Sequence, residues 1–222
     1  QLASAQGGAA AFDFAGDLPR VEPIAFDWEA CGYALCLVDS RCDHSVHADE
    51  YAAVPADMRA VARRFGCERL EAVPYPVFLA RLADVRAHLG DRAALRALHY
   101  FEETRRVAAQ QRALESGDIE GFLEGVRQSG ASSAQFLQNV SPRGDGLGAR
   151  QPAMMVLALC AHLLDGRGAY RIHGGGFGGS ALAFVPAEDI DAFCESMDAL
   201  LGYDACLRAK VDGRGAYAER MA

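Results

Sequence analysis

The chain has 222 residues, of which 51% are hydrophobic and 23% are charged. This length suits one large domain or two small ones, and the composition is that of a globular protein able to bury a core. The net charge of −8 and the pI of about 5.2 argue against a protein that binds the phosphate backbone of nucleic acids.

The cysteine pattern and the hydropathy argue against disulfide-stabilised, zinc-binding and membrane-spanning proteins. The seven cysteines are an odd number and form no C-x-x-C pair, so neither a disulfide framework nor a zinc site is predicted. We expect free, mostly buried thiols in a reducing cytoplasm. No apolar run reaches the roughly 18 residues of a membrane span, and no basic segment marks a signal peptide. A cytoplasmic protein without a membrane partner is therefore predicted.

Strands are predicted in the first part of the chain. They cover Ala9 to Phe14, Pro19 to Phe26, and Tyr33 to Asp39. The third contains the continuous apolar run from Ala34 to Val38, which is typical of a strand covered on both faces. A polar cluster from Asp39 to Ser45 follows directly, and a loop after a buried strand is a plausible place for a site.

Helices are predicted through the middle of the chain. One opens at Pro55 and ends at Gly66, and a short helix then runs to about His88. After the break at Gly90-Asp91, the predicted helices cover Arg92 to Ser116 and a successor capped by Asp118. The stretch from Pro142 to Gly148, with one proline and three glycines, is predicted to be a flexible loop.

The last part of the chain mixes helices and strands. A helix starts at Pro152 and ends before Gly166, and two strands then flank a glycine loop. A further helix has Glu188 and Asp189 in its first turn, and a last strand runs from Cys206 to Val211. This order predicts an α+β fold with an antiparallel sheet and helices packed on one face.

The glycine loop, Arg171 to Ser180, is the strongest local signal. Its five glycines in six residues allow positive φ and the close approach of another backbone or a phosphate. The spacing contains G-x-G-x-x-G, but the next segment is a strand, which excludes the Rossmann form. A protein-kinase loop is excluded because Lys210 is the single lysine and no H-R-D or D-F-G occurs. A tight connection between paired strands remains the structural alternative.

Four stretches follow one another in an order and spacing that point to a known family. They are Gln1–Ser4 (compare D-Q-x-x-S), Leu37–Tyr51 (V-D-S, then H-x-L-x-x-x-x-Y), Gly117–Phe122 (G-D-x-x-x-F) and Arg171–Val185 (R-x-x-G-x-G-F-G-G before a strand). Together they resemble the GHMP small-molecule kinases, and within them the galactokinases. The resemblance covers nearly the whole chain.

The departures from the family pattern define which portion is present. The family's catalytic aspartate would be the residue before Gln1, and both the Ser-rich P-x-x-x-G-L-S-S-S loop and the G-E-H-x-D-Y galactose signature are absent. The resemblance therefore implies a carboxy-terminal portion only, whose partner is the missing amino-terminal half. Residues 1–40 would be a remnant of the amino-terminal kinase domain, and residues 41–222 the GHMP carboxy-terminal domain, a ferredoxin-like elaboration. Val54-Pro55 replaces the usual arginine pair, which indicates a divergent branch.

The resemblance also implies an activity and site residues. The complete protein would use ATP and Mg²⁺ to phosphorylate the anomeric hydroxyl of galactose. We expect no catalytic residue, no metal site and no retained cofactor in this chain, which alone would be inactive. Tyr51 would contact the sugar through its hydroxyl, unless it is only an amphipathic side chain at a helix start. The glycine motif would lie near the transferred phosphate; its residues are Gly174, Gly175, Gly176, Phe177, Gly178 and Gly179.

Other polar residues receive structural interpretations, and two other functions stay open. His44 and His173 are acid–base residues by type but are expected to order a loop and a strand end. Asp39 is expected to orient a loop rather than hold magnesium, and Glu102 and Glu103 to be solvated charges. The alternatives are a non-catalytic, galactokinase-derived module for sugar sensing or partner binding, and a kinase for a related sugar such as N-acetylgalactosamine.

Overall fold

The computed structural model describes residues 7–16, 18–43, 47–141 and 150–215. In these ranges the strands are β1 (Ala9–Asp13), β2 (Arg20–Ile24), β3 (Tyr33–Cys42), β4 (Ala169–Ile172), β5 (Gly179–Pro186) and β6 (Cys206–Ala209). The α-helices are α1 (Ala48–Arg64), α2 (Tyr75–Ala80), α3 (Leu82–Glu115), α4 (Ile119–Ser132), α5 (Pro152–Leu164) and α6 (Ile190–Leu201). Short 3₁₀ turns lie at Leu70–Ala72 and Ala187–Asp189, and a π turn at Ser133–Leu137.

The main sheet has four antiparallel strands in the order β4-β5-β3-β6. Helices α5 and α6 cover one of its faces, and the core between them includes Cys36, Val38, Val156, Ile172 and Met197. The predicted α+β class, with an antiparallel sheet and helices packed on one face, is confirmed.

Strand β3 is covered on both faces, as its continuous apolar run predicts. Cys36 and Val38 are fully buried on the face toward α5 and α6. Leu35, on the other face, packs in a second cluster with Phe184 of β5 and Leu123 of α4. Helix α4 therefore closes part of the face that α5 and α6 leave open.

The amino-terminal strands form a separate hairpin. Within the described ranges, strand β1 pairs only with β2, with Ala9 opposite Ile24 and Asp13 opposite Arg20. Strand β3, in contrast, pairs with β5 and β6 in the main sheet. The division into an amino-terminal remnant and a carboxy-terminal domain stays a prediction, but its boundary at residue 40 cuts through β3. A boundary before Tyr33 fits the strand pairing better.

The start of α1 differs from the sequence prediction. The helix begins at Ala48 and has Pro55 inside it, so the expected start at Pro55 is wrong. The signals for an earlier start are Asp49 and Glu50, which favour the positive end of the helix dipole, and the helix-forming Ala52 and Ala53. Because of this shift, Tyr51 lies in the first helical turn.

Three other boundaries of helices and strands differ in detail from those predicted from the sequence. The break at Gly90 is present as a single non-helical residue (φ 81°, ψ 169°) within α3. Glu188 and Asp189 lie in the 3₁₀ turn that precedes α6, and β6 ends at Ala209. Asp118 caps α4, because its side chain accepts a hydrogen bond from the Gly121 N–H at 2.9 Å. The loop predicted from Pro142 to Gly148 lies outside the described residues.

Across the described ranges, no helix has both the length and the apolar character needed to cross a bilayer.

The different burial of two methionines predicts different effects of their substitution on stability. Met197 of α6 is fully buried, whereas Met155 of α5 is 56% exposed. We expect Met197→Ala to lower the free energy of unfolding by about 2–5 kcal/mol, because it removes buried methylene groups and leaves a cavity. Met155→Ala should stay within about 0.5 kcal/mol of the parent. Urea denaturation measures both, and equal effects would contradict the placement of α6.

Candidate active site

The glycine loop connects two paired strands. Ile172 of β4 lies opposite Ala181 of β5, and the His173 N–H donates to the Ser180 carbonyl at 2.9 Å. The strand–loop–strand arrangement predicted from the sequence is therefore present. Positive φ occurs at Gly174 (67°), Gly176 (81°), Gly178 (127°), Gly179 (76°) and also at Phe177 (53°). The loop thus has a backbone path that glycine permits and most other residues resist.

Asn139, just after the π turn that follows α4, holds the loop from one side. The Phe177 N–H donates to the Asn139 carbonyl at 2.5 Å, and the Asn139 Nδ2 donates to the Gly175 carbonyl at 3.0 Å. A Cβ atom on Gly176 would lie 2.1 Å from the Asn139 carbonyl oxygen. This close approach requires glycine at 176. The sequence does not indicate this role of Asn139, since a lone polar residue between helix and loop carries no motif.

Tyr51 holds the loop from another side. Its hydroxyl donates to the Gly176 carbonyl at 2.5 Å, and its ring meets the Phe177 ring edge-on, with centroids 5.2 Å apart. A Cβ on Gly175 would lie 2.7 Å from the Tyr51 Cε1. The structure thus brings the predicted sugar-contacting residue and the predicted glycine motif together.

The Tyr51 hydroxyl can still accept a hydrogen bond. Burial, and then the neighbouring Cys42 thiol, raises the pKa of Tyr51, so the phenol stays protonated at neutral pH. The O–H donates to the Gly176 carbonyl, and the lone pairs of the phenol oxygen can accept from another donor. A sugar hydroxyl is a donor of this kind.

The end of β3 forms the third support of the loop. Ser40 donates its hydroxyl to the Gly179 carbonyl at 2.5 Å, and a Cβ on Gly178 would lie 2.7 Å from the Cys42 carbonyl oxygen. A register shift between Asp39 and Cys42 allows this contact. The polar segment after the buried strand therefore adjoins the loop. His44 and Ser45, from the same segment, lie outside the described residues.

The remaining candidates have local structural contacts. Asp39 accepts from the Arg41 N–H at 2.8 Å, and its carbonyl accepts from the Tyr203 hydroxyl at 2.8 Å. His173 is exposed, with its Nδ1 3.5 Å from the Ser180 Oγ. Glu102 accepts from the Tyr75 hydroxyl at 2.5 Å rather than facing only solvent.

Glu103 is not a solvated charge but part of a polar network beneath the loop. Arg171, the first residue of the motif, donates to the Ser129 Oγ at 2.5 Å and lies 3.5 Å from the Glu103 carboxylate. Glu103 also accepts from Ser129 and Arg106. Burial lowers the pKa of Arg171, and the Glu103 charge opposes that effect. The network fastens the start of the glycine hairpin to α3 and α4.

The described residues around the loop include no obvious metal site. In the part of the chain that the structure describes, the group of three or more potential ligands close enough to share an ion consists of cysteines alone, under α6. A cleft of about 730 Å³ lies between the β1–β2 hairpin and helices α1 and α3, and contains no residue of the glycine loop. The loop therefore resembles one wall of a site rather than a complete pocket.

Comparison with solved structures identifies the class of protein to which this fold corresponds. No protein-family model matches the chain. The structure of Lactococcus lactis galactokinase complexed with galactose has a TM-score of 0.69 at 20% identity, covering 89% of this chain and 49% of that one. The L. major mevalonate kinase in complex with R-mevalonate has a TM-score of 0.54 at 18% identity, covering 93% and 50%. The fold is that of the GHMP small-molecule kinases.

Sequence similarity points to a narrower group of proteins within this fold class. The galactokinase of Streptomyces coelicolor is 32% identical over 202 residues, which cover 89% of this chain and 48% of the relative. By sequence, the chain is a galactokinase homologue. It spans about half the length of the curated relatives it matches, which is consistent with the predicted carboxy-terminal portion.

The polar network predicts a pH-dependent stability. His99 is 8% exposed and its Nδ1 lies 2.9 Å from the Ser132 Oγ. Burial lowers the pKa of His99; Glu103 opposes this, and Arg171 and Arg106 reinforce it. Below the ordinary value of about 6.5, the unfolded chain therefore binds more protons than the folded one. We expect the free energy of unfolding to fall as pH drops from about 7.5 to 5.5.

Variants at two histidines isolate this contribution. His99→Gln keeps a hydrogen-bonding group and should reduce the pH dependence, whereas His162→Gln, at an exposed position, should leave it unchanged. Urea denaturation at both pH values gives the comparison. Equal slopes for His99→Gln and the parent would contradict the assignment.

The loop predicts a graded response to alanine. Gly174 has φ 67° and open space around a Cβ, so Gly174→Ala incurs only the backbone cost, about 1–2 kcal/mol. Gly176→Ala adds a clash with the Asn139 backbone and should destabilise the protein by a further 1–3 kcal/mol or so. Urea denaturation tests this order, and equal losses would mean that Asn139 does not hold the loop.

Proposed function

We propose that the chain is the carboxy-terminal part of a galactokinase-like sugar kinase. In the complete protein, the γ-phosphoryl group of Mg-ATP would pass to the anomeric hydroxyl of galactose. The observation that carries this proposal is the hydrogen bond from the Tyr51 hydroxyl to the Gly176 carbonyl, which joins the expected sugar contact to the glycine motif. The similarity to curated galactokinases supports the same reading.

The chemistry suits a site built in this way. Phosphoryl transfer depends mainly on positioning and on electrostatic stabilisation of the transferred group. A loop without Cβ atoms lets substrate atoms approach the backbone closely, and its supports at Tyr51, Asn139 and Ser40 keep that backbone in place. The Tyr51 oxygen would accept from a sugar hydroxyl while its own O–H donates to the Gly176 carbonyl. The chain's role is therefore to hold the sugar against the phosphoryl donor.

The remaining parts of the site are assigned to the half of the protein outside this chain. We expect the base aspartate, the Ser-rich phosphate loop and the Mg²⁺ ligands there. The Asp39 carboxylate already accepts from the Arg41 N–H, so we assign it no metal role. We also expect a cytoplasmic enzyme whose halves meet at the glycine loop, and no turnover by this chain alone.

The test compares the complete protein with the 222-residue chain. With galactose and Mg-ATP, the complete protein should form galactose 1-phosphate and the chain alone should not. In the complete protein, Tyr51→Phe should raise the KM for galactose about tenfold, because one hydrogen bond to the sugar is lost and the loop loosens. Tyr75→Phe, which removes a hydroxyl bonded to Glu102 away from the loop, should leave the KM unchanged.

Each contrary outcome has a distinct meaning. Turnover by the chain alone at an ordinary kinase rate would show that the base lies within it. Galactose binding by the complete protein without turnover would favour the sensing module. Phosphorylation of N-acetylgalactosamine in preference to galactose would show that the substrate is the related sugar and not galactose. Equal KM values for Tyr51→Phe and Tyr75→Phe would remove Tyr51 from the sugar site.

A further inference from the structure

Three cysteines converge on the helix-covered face of the sheet. The Sγ atoms of Cys36 (β3), Cys194 (α6) and Cys206 (β6) all lie within 4.8 Å of one another. Cys36 is fully buried, Cys194 is 8% exposed and Cys206 is partly buried. The glycine loop contacts β3 farther along, at Ser40 and Cys42, so the candidate active site does not use these thiols.

Strand register explains the convergence. Strand β3 pairs with β6 so that Val38 lies opposite Cys206 and Cys36 opposite Arg208. Residues opposite each other, and those two apart on one strand, share a face. The side chains of Cys36 and Cys206 therefore both point at α6, whose apolar face carries Cys194. Because the three cysteines are far apart in the chain, no sequence motif predicts that they lie close together.

Two thiols of the cluster, those of Cys194 and Cys206, have raised pKa values. A hydrogen bond with Cys36, followed by burial, raises the pKa of Cys206, and burial raises the pKa of Cys194. On neighbouring α5, burial and the Cys206 thiol raise the pKa of Cys160 to about 12. Protonated thiols are poor nucleophiles, so neither Cys194 nor Cys206 has the character of a reactive cysteine. A bound metal would have to displace these protons.

The surroundings of the cluster offer charge compensation and a path from solvent. Arg208 forms an ion pair with Asp191 of α6, and the interactions with Asp191 and then Cys194 raise the pKa of Arg208. Its side chain is 55% exposed, so this edge of the cluster lies at the surface. The guanidinium opposes the negative charge that deprotonated sulfurs acquire. Asp198, also on α6, accepts from the Ala205 and Cys206 N–H groups and is a nearby negative charge, in addition to Asp191.

We propose that Cys36, Cys194 and Cys206 form a three-sulfur site for one Cu(I) ion. The group contains sulfur donors only, and soft thiolates select soft ions. Structural Zn²⁺ almost always takes four ligands, and among the described residues the group has three. On binding, three Cu–S bonds replace three S–H bonds, the protons pass to water, and copper remains Cu(I).

The bound ion would join three elements. Among the described strands, β6 is the edge of the sheet and pairs only with β3. A Cu(I) ion on Cys206 ties this edge to the central strand through Cys36 and to α6 through Cys194. A ligand that binds the folded state alone stabilises it by mass action, so the melting temperature should rise with Cu(I).

The experiment titrates the reduced 222-residue chain with Cu(I) under anaerobic conditions against a chromophoric competing chelator. We expect one tightly held equivalent, with an affinity that increases with pH because thiol protons are released. Cys206→Ser should lose this equivalent. The matched control is Cys67→Ser, which should retain it; Cys67 is partly buried and packs in a separate hydrophobic cluster that includes Val61 of α1, Phe78 of α2 and Val85 of α3.

Further measurements keep the test independent of a single variant. Circular dichroism should show that Cys206→Ser is folded; if it is not, Cys194→Ala replaces it. X-ray absorption on the parent protein should show three sulfur neighbours around copper. Retention of the ion by both cluster variants, preference for Zn²⁺ over Cu(I), or formation of a disulfide in place of metal uptake would overturn the proposal.

Discussion

The structure depends on the double burial of β3. Its alternate side chains must be covered on both faces, by α5 and α6 at Cys36 and Val38, and by the cluster around Leu35 and Phe184 on the other. A strand of this kind lies inside a sheet, and β5 and β6 accordingly flank it. The position of β3 also places its own end and the helix that follows: Ser40 and Cys42 reach the glycine loop, and α1 begins where Tyr51 can donate to Gly176.

The glycine loop has its shape because neighbouring groups occupy the space where Cβ atoms would be. Asn139, Tyr51 and Cys42 approach Gly176, Gly175 and Gly178 within distances that a side chain would prevent. Below the loop, the Arg171–Glu103 contact extends the support to α3 and α4. A rigid backbone wall of this kind is useful to an enzyme that works by positioning, and the same wall is incomplete without the half that carries the phosphate loop in our proposal.

Several features were predictable because they depend on local physics. The apolar run of β3, the Asp118 cap and the hairpin around the glycine loop each follow from residues adjacent in the chain. The predicted start of α1 at Pro55 is wrong because the acidic residues Asp49 and Glu50 already favour a first helical turn before it. The prediction of a solvated Glu103 is wrong because its burial depends on Ser129 and Arg171, which come from other elements. Asn139 and the three clustered thiols carry no motif at all.

The sequence by itself determined the fold class, the glycine hairpin and the resemblance to galactokinases, because periodicity, turn chemistry and ordered motifs are all properties of the linear chain. Tertiary structure alone decided which side chains meet. The Tyr51–Gly176 hydrogen bond, the Asn139 clamp and the Cys36–Cys194–Cys206 cluster each join residues far apart in the chain. Such contacts depend on strand register and helix packing, since a shift of one residue turns a side chain to the opposite face of the sheet.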